Sequence, residues 1–456
     1  MNFEITTKII NFFRVKLEEK IELKKVIHNI GWLVGENIVR LLLGTGVGIW
    51  MARYMGPNEY GVYNYALAYV ALFSSLVTLG LDSIVVREIV KEKADTNKIL
   101  GSAFFLKIVA GIATFFIIVA SIFFIKEYDT IIKIAIIILA GGFIFSSFDT
   151  IAFWFQSEIK SKFVVCAKLG AFIIANLLRI ALLLFGVHLL AFVWLALAEI
   201  IMGALSMLIA YKKSNQKITT WKVEFPIIKK LLSNSWPLIF SGLAVVIYMK
   251  IDQIMIGNML GSKEVGIYSV AVRLSEVWYF IPMAIASSVF PAIVALRKIN
   301  NALYLNRLQI FYDLMMWLAI LIAIPVAFFS KDIIYLIYGE QYIGAGPVLA
   351  VYIWAGIAVF LGVASEQFLL AENLTKVSFM RTALGGISNI LLNLYLIPRY
   401  GIIGSAWATL ISYFISAFSI IFAKQASRNF LMFIKTLNFV RVFKFSVGML
   451  KKDVSR

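Results

Sequence analysis

One cysteine, Cys166, stands in the 456 residues of the chain, so no internal disulfide is available. Histidine is nearly as scarce: His28 and His188 lie far apart and offer no paired ligand or acid–base couple. Acidic residues number 25 against 43 basic ones, and charged residues of both signs make up only 15% of the chain. No glycine-rich loop leads into a Lys-Ser or Lys-Thr pair, which excludes a built-in phosphate-cradling ATPase module. The first thirty residues are charged throughout and lack a short apolar core followed by small residues, so no cleavable signal is expected. No gap between apolar runs holds a soluble domain or a large outer loop with catalytic acids. The chain is therefore not expected to be an enzyme, and no cofactor is expected.

Apolar surface is what abounds. Hydrophobic residues make up 61% of the chain, at a mean hydropathy of +0.89. No soluble core needs that much, so the fold class expected is an all-α, polytopic membrane protein. Crossing a bilayer takes about 20 apolar residues. Twelve such runs fall at roughly 32–55, 62–86, 99–125, 131–155, 163–185, 188–211, 235–260, 266–290, 309–329, 347–371, 379–398 and 401–423. They predict two six-helix lobes, 31–211 and 235–423, joined by a linker at 212–234. Residues 1–30 alternate apolar and basic positions and predict an amphipathic cytoplasmic segment, and residues 424–456 a basic cytoplasmic tail.

The net charge of +18 follows the loops. Loops after even-numbered spans carry most of the lysine and arginine, such as Arg87, Lys91, Lys93 and Lys98, or Lys212, Lys213, Lys217, Lys222, Lys229 and Lys230. Loops after odd-numbered spans hold only Arg53, Lys126, Lys133, Lys263, Lys331 and Arg399. Basic residues favour the cytoplasm, which predicts a cytoplasmic-membrane protein with both termini on the cytoplasmic side and makes nucleic-acid binding unnecessary to explain the charge.

One stretch occurs twice. Met55-Gly56-Pro57-Asn58-Glu59-Tyr60-Gly61-Val62-Tyr63 returns 205 residues later as Leu260-Gly261-Ser262-Lys263-Glu264-Val265-Gly266-Ile267-Tyr268. Each copy ends one apolar run and starts another, so each predicts a tight turn whose glycines adopt angles that other residues resist. Tyr63 and Tyr268 fit the membrane interface, and for Tyr65, Tyr69, Trp278 and Tyr279 two readings stand, stacking on sugars or interfacial packing, the second the simpler. A parallel repeat at half the chain length predicts two similar bundles about an axis along the membrane normal.

Charges inside the spans are the candidate site. An ionisable side chain at mid-membrane costs at least about 2.5–3.5 kcal/mol and should face the bundle or a wet cavity. Arg40 lies on a stripe of Glu36/Asn37, Arg40, Gly44 and Val47/Gly48, and Arg273 on a stripe of Ser269, Arg273, Glu276, Phe280, Ala284 and Ser287. Two readings stand for each: a cavity-facing cation, or a local ion pair with Glu36 or Glu276. Asp252 and Tyr248 share span seven, and Lys250, Arg179 and Lys168 sit near span ends, where snorkelling is the simpler reading. Glu199, Asp149, Asp82 and Glu366 complete the acids, any of which could bind a coupling H+ or Na+. Pro282 is expected to kink span eight.

Two runs carry a family likeness. Ala52-Arg53-Tyr54-Met55-Gly56-Pro57-Asn58-Glu59-Tyr60-Gly61 and Leu396-Ile397-Pro398-Arg399-Tyr400-Gly401-Ile402-Ile403-Gly404-Ser405-Ala406-Trp407-Ala408-Thr409 resemble the polysaccharide flippases, O-antigen-unit type, of the multidrug/oligosaccharidyl-lipid/polysaccharide exporter superfamily. The resemblance implies alternating access and a cargo of oligosaccharide on a polyprenyl pyrophosphate, within membrane lipids and beside polysaccharide-assembly partner proteins. A single chain would complete the cavity, so a monomer is the default. Arg40 and Arg273 suit the pyrophosphate, since guanidinium donates paired hydrogen bonds to phosphate. A drug/cation antiporter of the same superfamily is the alternative, and a membrane polysaccharide polymerase a more distant one.

Overall fold

The computed structural model describes residues 2–123, 130–297, 299–372, 374–423 and 427–436, with side chains from residue 31 except 33, 34, 291, 292, 427 and 428. The side-chain pattern of the amphipathic segment 1–30, Lys126, Lys424 and the basic tail beyond residue 436 lie outside the described residues. Every regular element among the described residues is helical. The first half contains α1 (Asn2–Leu72), α2 (Ser74–Thr78), α3 (Asp82–Lys91), α4 (Thr96–Phe123), α5 (Thr130–Phe145), α6 (Thr150–Ser157), α7 (Ser161–Leu184) and α8 (Leu189–Lys213). The second contains α9 (Phe225–Leu260), α10 (Ser262–Glu276), α11 (Phe280–Leu296), α12 (Asn301–Phe328), α13 (Ser330–Tyr338), α14 (Ala345–Tyr352), α15 (Ala355–Ala371), α16 (Thr375–Phe418) and α17 (Ser427–Thr436).

Among the described residues, nine helical stretches are long and apolar enough to cross a membrane, and the bent pair Gly35–Leu72 with Ser74–Lys91 brings them to ten. Two of the ten are broken by a non-helical glycine, Gly56 at φ 68° and Gly401 at φ 59°. Counting their halves separately yields twelve apolar segments, at the positions read from the sequence. The chain is an all-α, multi-pass membrane protein. Span eight is interrupted at Val277–Tyr279 by a 3-10 turn. Pro282 explains the place: it has no N–H to bond the carbonyl four residues earlier, at Trp278.

The chain divides into two compact units. The first gathers Met1–Gly48, Phe73–Asp129 and Lys133–Ile239. Its core joins Leu81, Val85, Ile99, Leu100, Phe155 and Met207, all buried. Small residues let its backbones approach: a Cβ on Gly101 would lie 2.4 Å from the Lys222 carbonyl oxygen. Lys222 donates its N–H to the Asn97 carbonyl at 3.2 Å, and the Glu224 N–H bonds the Ser102 hydroxyl at 3.0 Å. Residues 218–224 thus lie as a strap across the start of α4, held also by Lys98–Glu224 at 3.0 Å.

The second unit gathers Ile49–Leu72, Thr130–Ile132 and Phe240–Arg456. Its core runs through Leu308, Phe311, Met315, Phe360, Leu361 and Leu369. The start of the expected tail is not loose: α17 buries Asn429, Met432, Phe433 and Thr436. Tyr312 donates to Asn429 Oδ1 at 2.6 Å, Asn429 Nδ2 to Ser365 at 2.9 Å, and Gln309 Nε2 to Thr436 at 3.0 Å.

Both copies of the repeated turn fall in this second unit, against each other. Gly56 and Gly261 take φ of 68° and 94°, the left-handed region that the repeat predicts for its first glycine. The second glycine of each copy has a different task. A Cβ on Gly61 would sit 1.7 Å from the Ser262 carbonyl oxygen, and one on Gly266 would sit 1.9 Å from the Pro57 carbonyl oxygen. The contact is reciprocal, backbone on backbone. Tyr342 donates to the Ala52 carbonyl at 2.8 Å, Gln341 to the Arg53 carbonyl at 2.9 Å, and Arg53 to the Leu336 carbonyl, tying the same segment to α13 and the turn after it. The interfacial reading of the tyrosines is corrected here for two of them: Tyr65 and Tyr268 are 1% and 0% exposed, their hydroxyls bonded to Asn258 and to the buried Asp252.

Gly61→Ala and Gly266→Ala should each destabilise the purified protein by about 1–3 kcal/mol, the usual cost of overpacking, read as a lower melting temperature. Gly141→Ala, where a Cβ meets nothing within 4 Å, serves as the control. Unchanged melting of both turn variants would remove the close crossing.

Candidate functional site

The first unit holds an open cavity of about 180 Å³ whose lining includes Arg40, Ser146, Asp149, Lys168, Glu199 and Gly203. Local breaks in the helices build it. Span four loses its α-helical geometry at Ser146–Asp149, a 3-10 turn between α5 and α6, and that turn supplies two of the lining residues. Arg40 and Gly44, one turn apart on α1, share a neighbour on α7. The Arg40 guanidinium lies 4.8 Å from the Phe172 ring centroid, and a Cβ on Gly44 would stand 3.4 Å from the same ring. A cation over an aromatic face is favourable where water is scarce.

Ion pairs hold the charged groups. Glu36 accepts from Arg40 Nε at 2.9 Å, Asp149 meets Lys168 at 2.7 Å, and Glu199 accepts from Arg179 at 2.6 Å. Among the described residues, Arg40 makes its hydrogen bond through Nε alone. Its two terminal nitrogens keep their donors for a ligand, and guanidinium presents them in a planar fork. Lys168, read from the sequence as a snorkelling residue, faces this cavity instead. Arg179 is drawn inward too: its side chain is 12% exposed and also donates to Asn176. Asn37 is exposed.

The second unit holds the other candidates. Arg273 lies beside Tyr60 and Tyr338. Glu276 stands 4.0 Å from Lys250, and its Oε1 has no hydrogen-bond partner among the described residues. Asp252, 2% exposed, accepts from Tyr268 at 2.7 Å and from Thr409 at 2.8 Å, both through Oδ2. Among the described residues its Oδ1 has no hydrogen-bond partner, nor does Asn393 Oδ1 on α16. Asn393 donates to Asn389, which lies 3.5 Å from Thr409. The charge of a buried carboxyl group in hydrocarbon has to be met by hydrogen bonds, a proton or a cation. Among the described residues no three His, Cys, Asp or Glu side chains gather as a metal site. One carboxylate with amide and hydroxyl oxygens suits a proton or a monovalent ion.

Tyr248 lines a separate cavity of about 360 Å³ within the second unit, with Glu366 and Arg381. Sequence reasoning passed over Arg381, which sits at the start of an apolar run where a basic residue reads as a boundary. It also passed over Lys107, 2% exposed, with its ammonium 5.1 Å from the Phe153 ring and near Asp149 and Asp82. A signal for Lys107 existed: a lysine eleven residues into α4 is about 16 Å deep by helical rise.

The chain is similar to known proteins in sequence and in fold. The profile of the family described as polysaccharide biosynthesis protein matches residues 26–297, and that of MatE matches residues 237–395. The probable flippase AglR of Haloferax volcanii is 31% identical over 172 residues. That alignment spans 36% of this chain and 35% of AglR, so about a third of that relative's length is covered. An inward-facing multidrug resistance MATE transporter of the MOP superfamily superposes with a TM-score of 0.70 at 14% identity, covering 86% of this chain and 95% of that one. The lipid II flippase MurJ, in an inward closed conformation, superposes with a TM-score of 0.65 at 17% identity, covering 92% and 93%. At such identities the likeness is one of fold.

Proposed function

The chain belongs to the polysaccharide biosynthesis protein family, and from that premise we propose that it flips oligosaccharide units carried on polyprenyl pyrophosphate across the cytoplasmic membrane by alternating access. It acts as a transporter, without enzymatic chemistry. Its lobes are 31–211 and 235–423, the link at 212–234 and both termini face the cytoplasm, and the working unit is a monomer. The observation that carries the reading is the first-unit cavity. Arg40 and Lys168 face it together, and the Arg40 fork has donors to spare. Arg273, half-buried beside Tyr60, supplies the second cation of the pathway. Asp252 is the group whose surroundings fit the coupling H+ or Na+.

The MatE match supports the drug/cation antiporter as a second reading. A cationic drug needs an uncommitted acid, however, and the acids at this cavity are each engaged by a base. An anionic cargo needs uncommitted donors, which Arg40 has.

Reconstitution with a fluorescent polyprenyl-pyrophosphate oligosaccharide tests the reading directly. Losing one charge-assisted hydrogen-bonding partner costs about 1.5–3 kcal/mol, so Arg40→Ala should lower cargo affinity by about one to two decades. Arg40→Lys should recover part of that, since the charge returns without the planar fork. Full recovery in Glu36→Ala/Arg40→Ala would make the pair structural and take the cargo role away from Arg40.

Alternating access also needs a closure, and we assign it to the glycine crossing of 57–61 on 262–266. In a Cys166→Ser background, an Asn58→Cys/Lys263→Cys crosslink should stop transport, and reduction should restore it. Undiminished transport at quantitative crosslinking would overturn the assignment.

A further inference from the structure

We infer that the second-unit cavity lined by Tyr248, Tyr279, Glu366, Arg381 and Tyr413 is a saccharide subsite that takes a neutral sugar ring of the cargo. The inference rests on the flippase reading and names a part of the cargo that the cations do not serve. The volume, about 360 Å³, lies within the range of small-molecule pockets.

The chemistry of the walls selects the ligand. Arg381, 9% exposed, donates to Glu366 at 2.9 Å, and the Ser378 hydroxyl stands 2.8 and 2.7 Å from the two Glu366 oxygens. The pair is electrically balanced, so neither a free cation nor a phosphate finds an unmatched charge. An acyl chain would leave guanidinium, carboxylate and hydroxyls facing hydrocarbon, at a cost per unpaired group. A sugar meets both halves: vicinal hydroxyls donate to the carboxylate and accept from the guanidinium.

Aromatic surface completes the match. Tyr248 and Tyr413 stack at 4.4 Å, and Gly385 makes room for this, since a Cβ there would lie 2.6 Å from the Tyr248 ring. Rings of this kind cover the C–H face of a sugar while hydroxyls at the rim bond its edge. The Tyr279 hydroxyl is buried and has no hydrogen-bond partner among the described residues. An unpaired buried hydroxyl is costly and is satisfied when a ligand oxygen arrives.

Two variants test the subsite with both members of the Arg381–Glu366 pair in place; Gly362 offers Arg381 only its backbone carbonyl, at 3.4 Å, which a substitution keeps. Gly362 lines the cavity, and a Cβ there meets nothing within 4 Å, so Gly362→Leu fills the space without displacing backbone. Tyr279→Phe removes only the unpaired hydroxyl. Affinities of the full chain are measured for bare polyprenyl pyrophosphate and for the same lipid bearing a neutral trisaccharide. Gly362→Leu should weaken the glycosylated lipid at least about tenfold and leave the bare lipid unchanged. Tyr279→Phe should weaken the glycosylated lipid about three- to tenfold, the loss of one neutral hydrogen bond, with the melting temperature held or raised. Equal losses for both lipids, or none for the glycosylated one, would overturn the subsite. If wild-type protein moves neither lipid in vesicles, the flippase reading falls, while the affinity difference still decides the subsite.

Discussion

A hydrocarbon surround offers no hydrogen bonds, so each charge and each polar atom in a spanning segment has to find its partner inside the protein. That requirement organises this chain. Arg40, Lys168 and Arg179 are met by Glu36, Asp149 and Glu199, and Arg381 by Glu366. Only 15% of the chain is charged, and the spans draw much of their share into paired clusters. Pairing of this sort does little for stability in itself, since desolvating two ions offsets most of their attraction. Its use is positional: it holds donors such as the Arg40 fork at a cavity wall until a stronger acceptor arrives.

Close backbone approach is the second device. Without a strong hydrophobic drive between helices in lipid, association depends on packing, and small residues admit the shortest distances. Gly61 against Ser262 and Gly266 against Pro57 bring two helices to contact through their carbonyls, and Gly101 does the same beneath the strap at Lys222. Such contacts involve little side-chain interlocking. A crossing made of glycine can part and reform without repacking bulky groups, which fits a closure that has to cycle.

Breaks in helices put chemistry where regular helices would not. The 3-10 turn at Ser146–Asp149 exposes a carboxylate to the first cavity, and the turn at Val277–Tyr279, four residues ahead of Pro282, brings Tyr279 to the second. Polar networks then lock the surroundings. Asn429 of α17 bridges Tyr312 and Ser365, so the last described helix is joined to the core by buried hydrogen bonds.

What the sequence determined by itself was whatever depends on local composition and spacing. Apolar runs of membrane length, the turns at Gly56 and Gly261, the break before Pro282 and the presence of charges at Arg40, Arg273 and Asp252 all follow from hydropathy, from the angles open to glycine and from the missing N–H of proline. The tertiary structure alone decided which of those charges meet. Lys168 and Arg179 read as snorkelling residues because depth along a helix says nothing of its facing neighbour; Asp149 and Glu199 were that neighbour. Glu276 has Arg273 three residues away in sequence, yet lies within ion-pair distance of Lys250 on the preceding helix. Tyr268 and Tyr65 passed for interface anchors because an amphipathic ring suits water and lipid alike, and only the hydrogen bonds to Asp252 and Asn258 settle which way each turns. Periodicity assigns a residue to a face of its own helix, whereas partnership belongs to the packing of two helices distant in the chain.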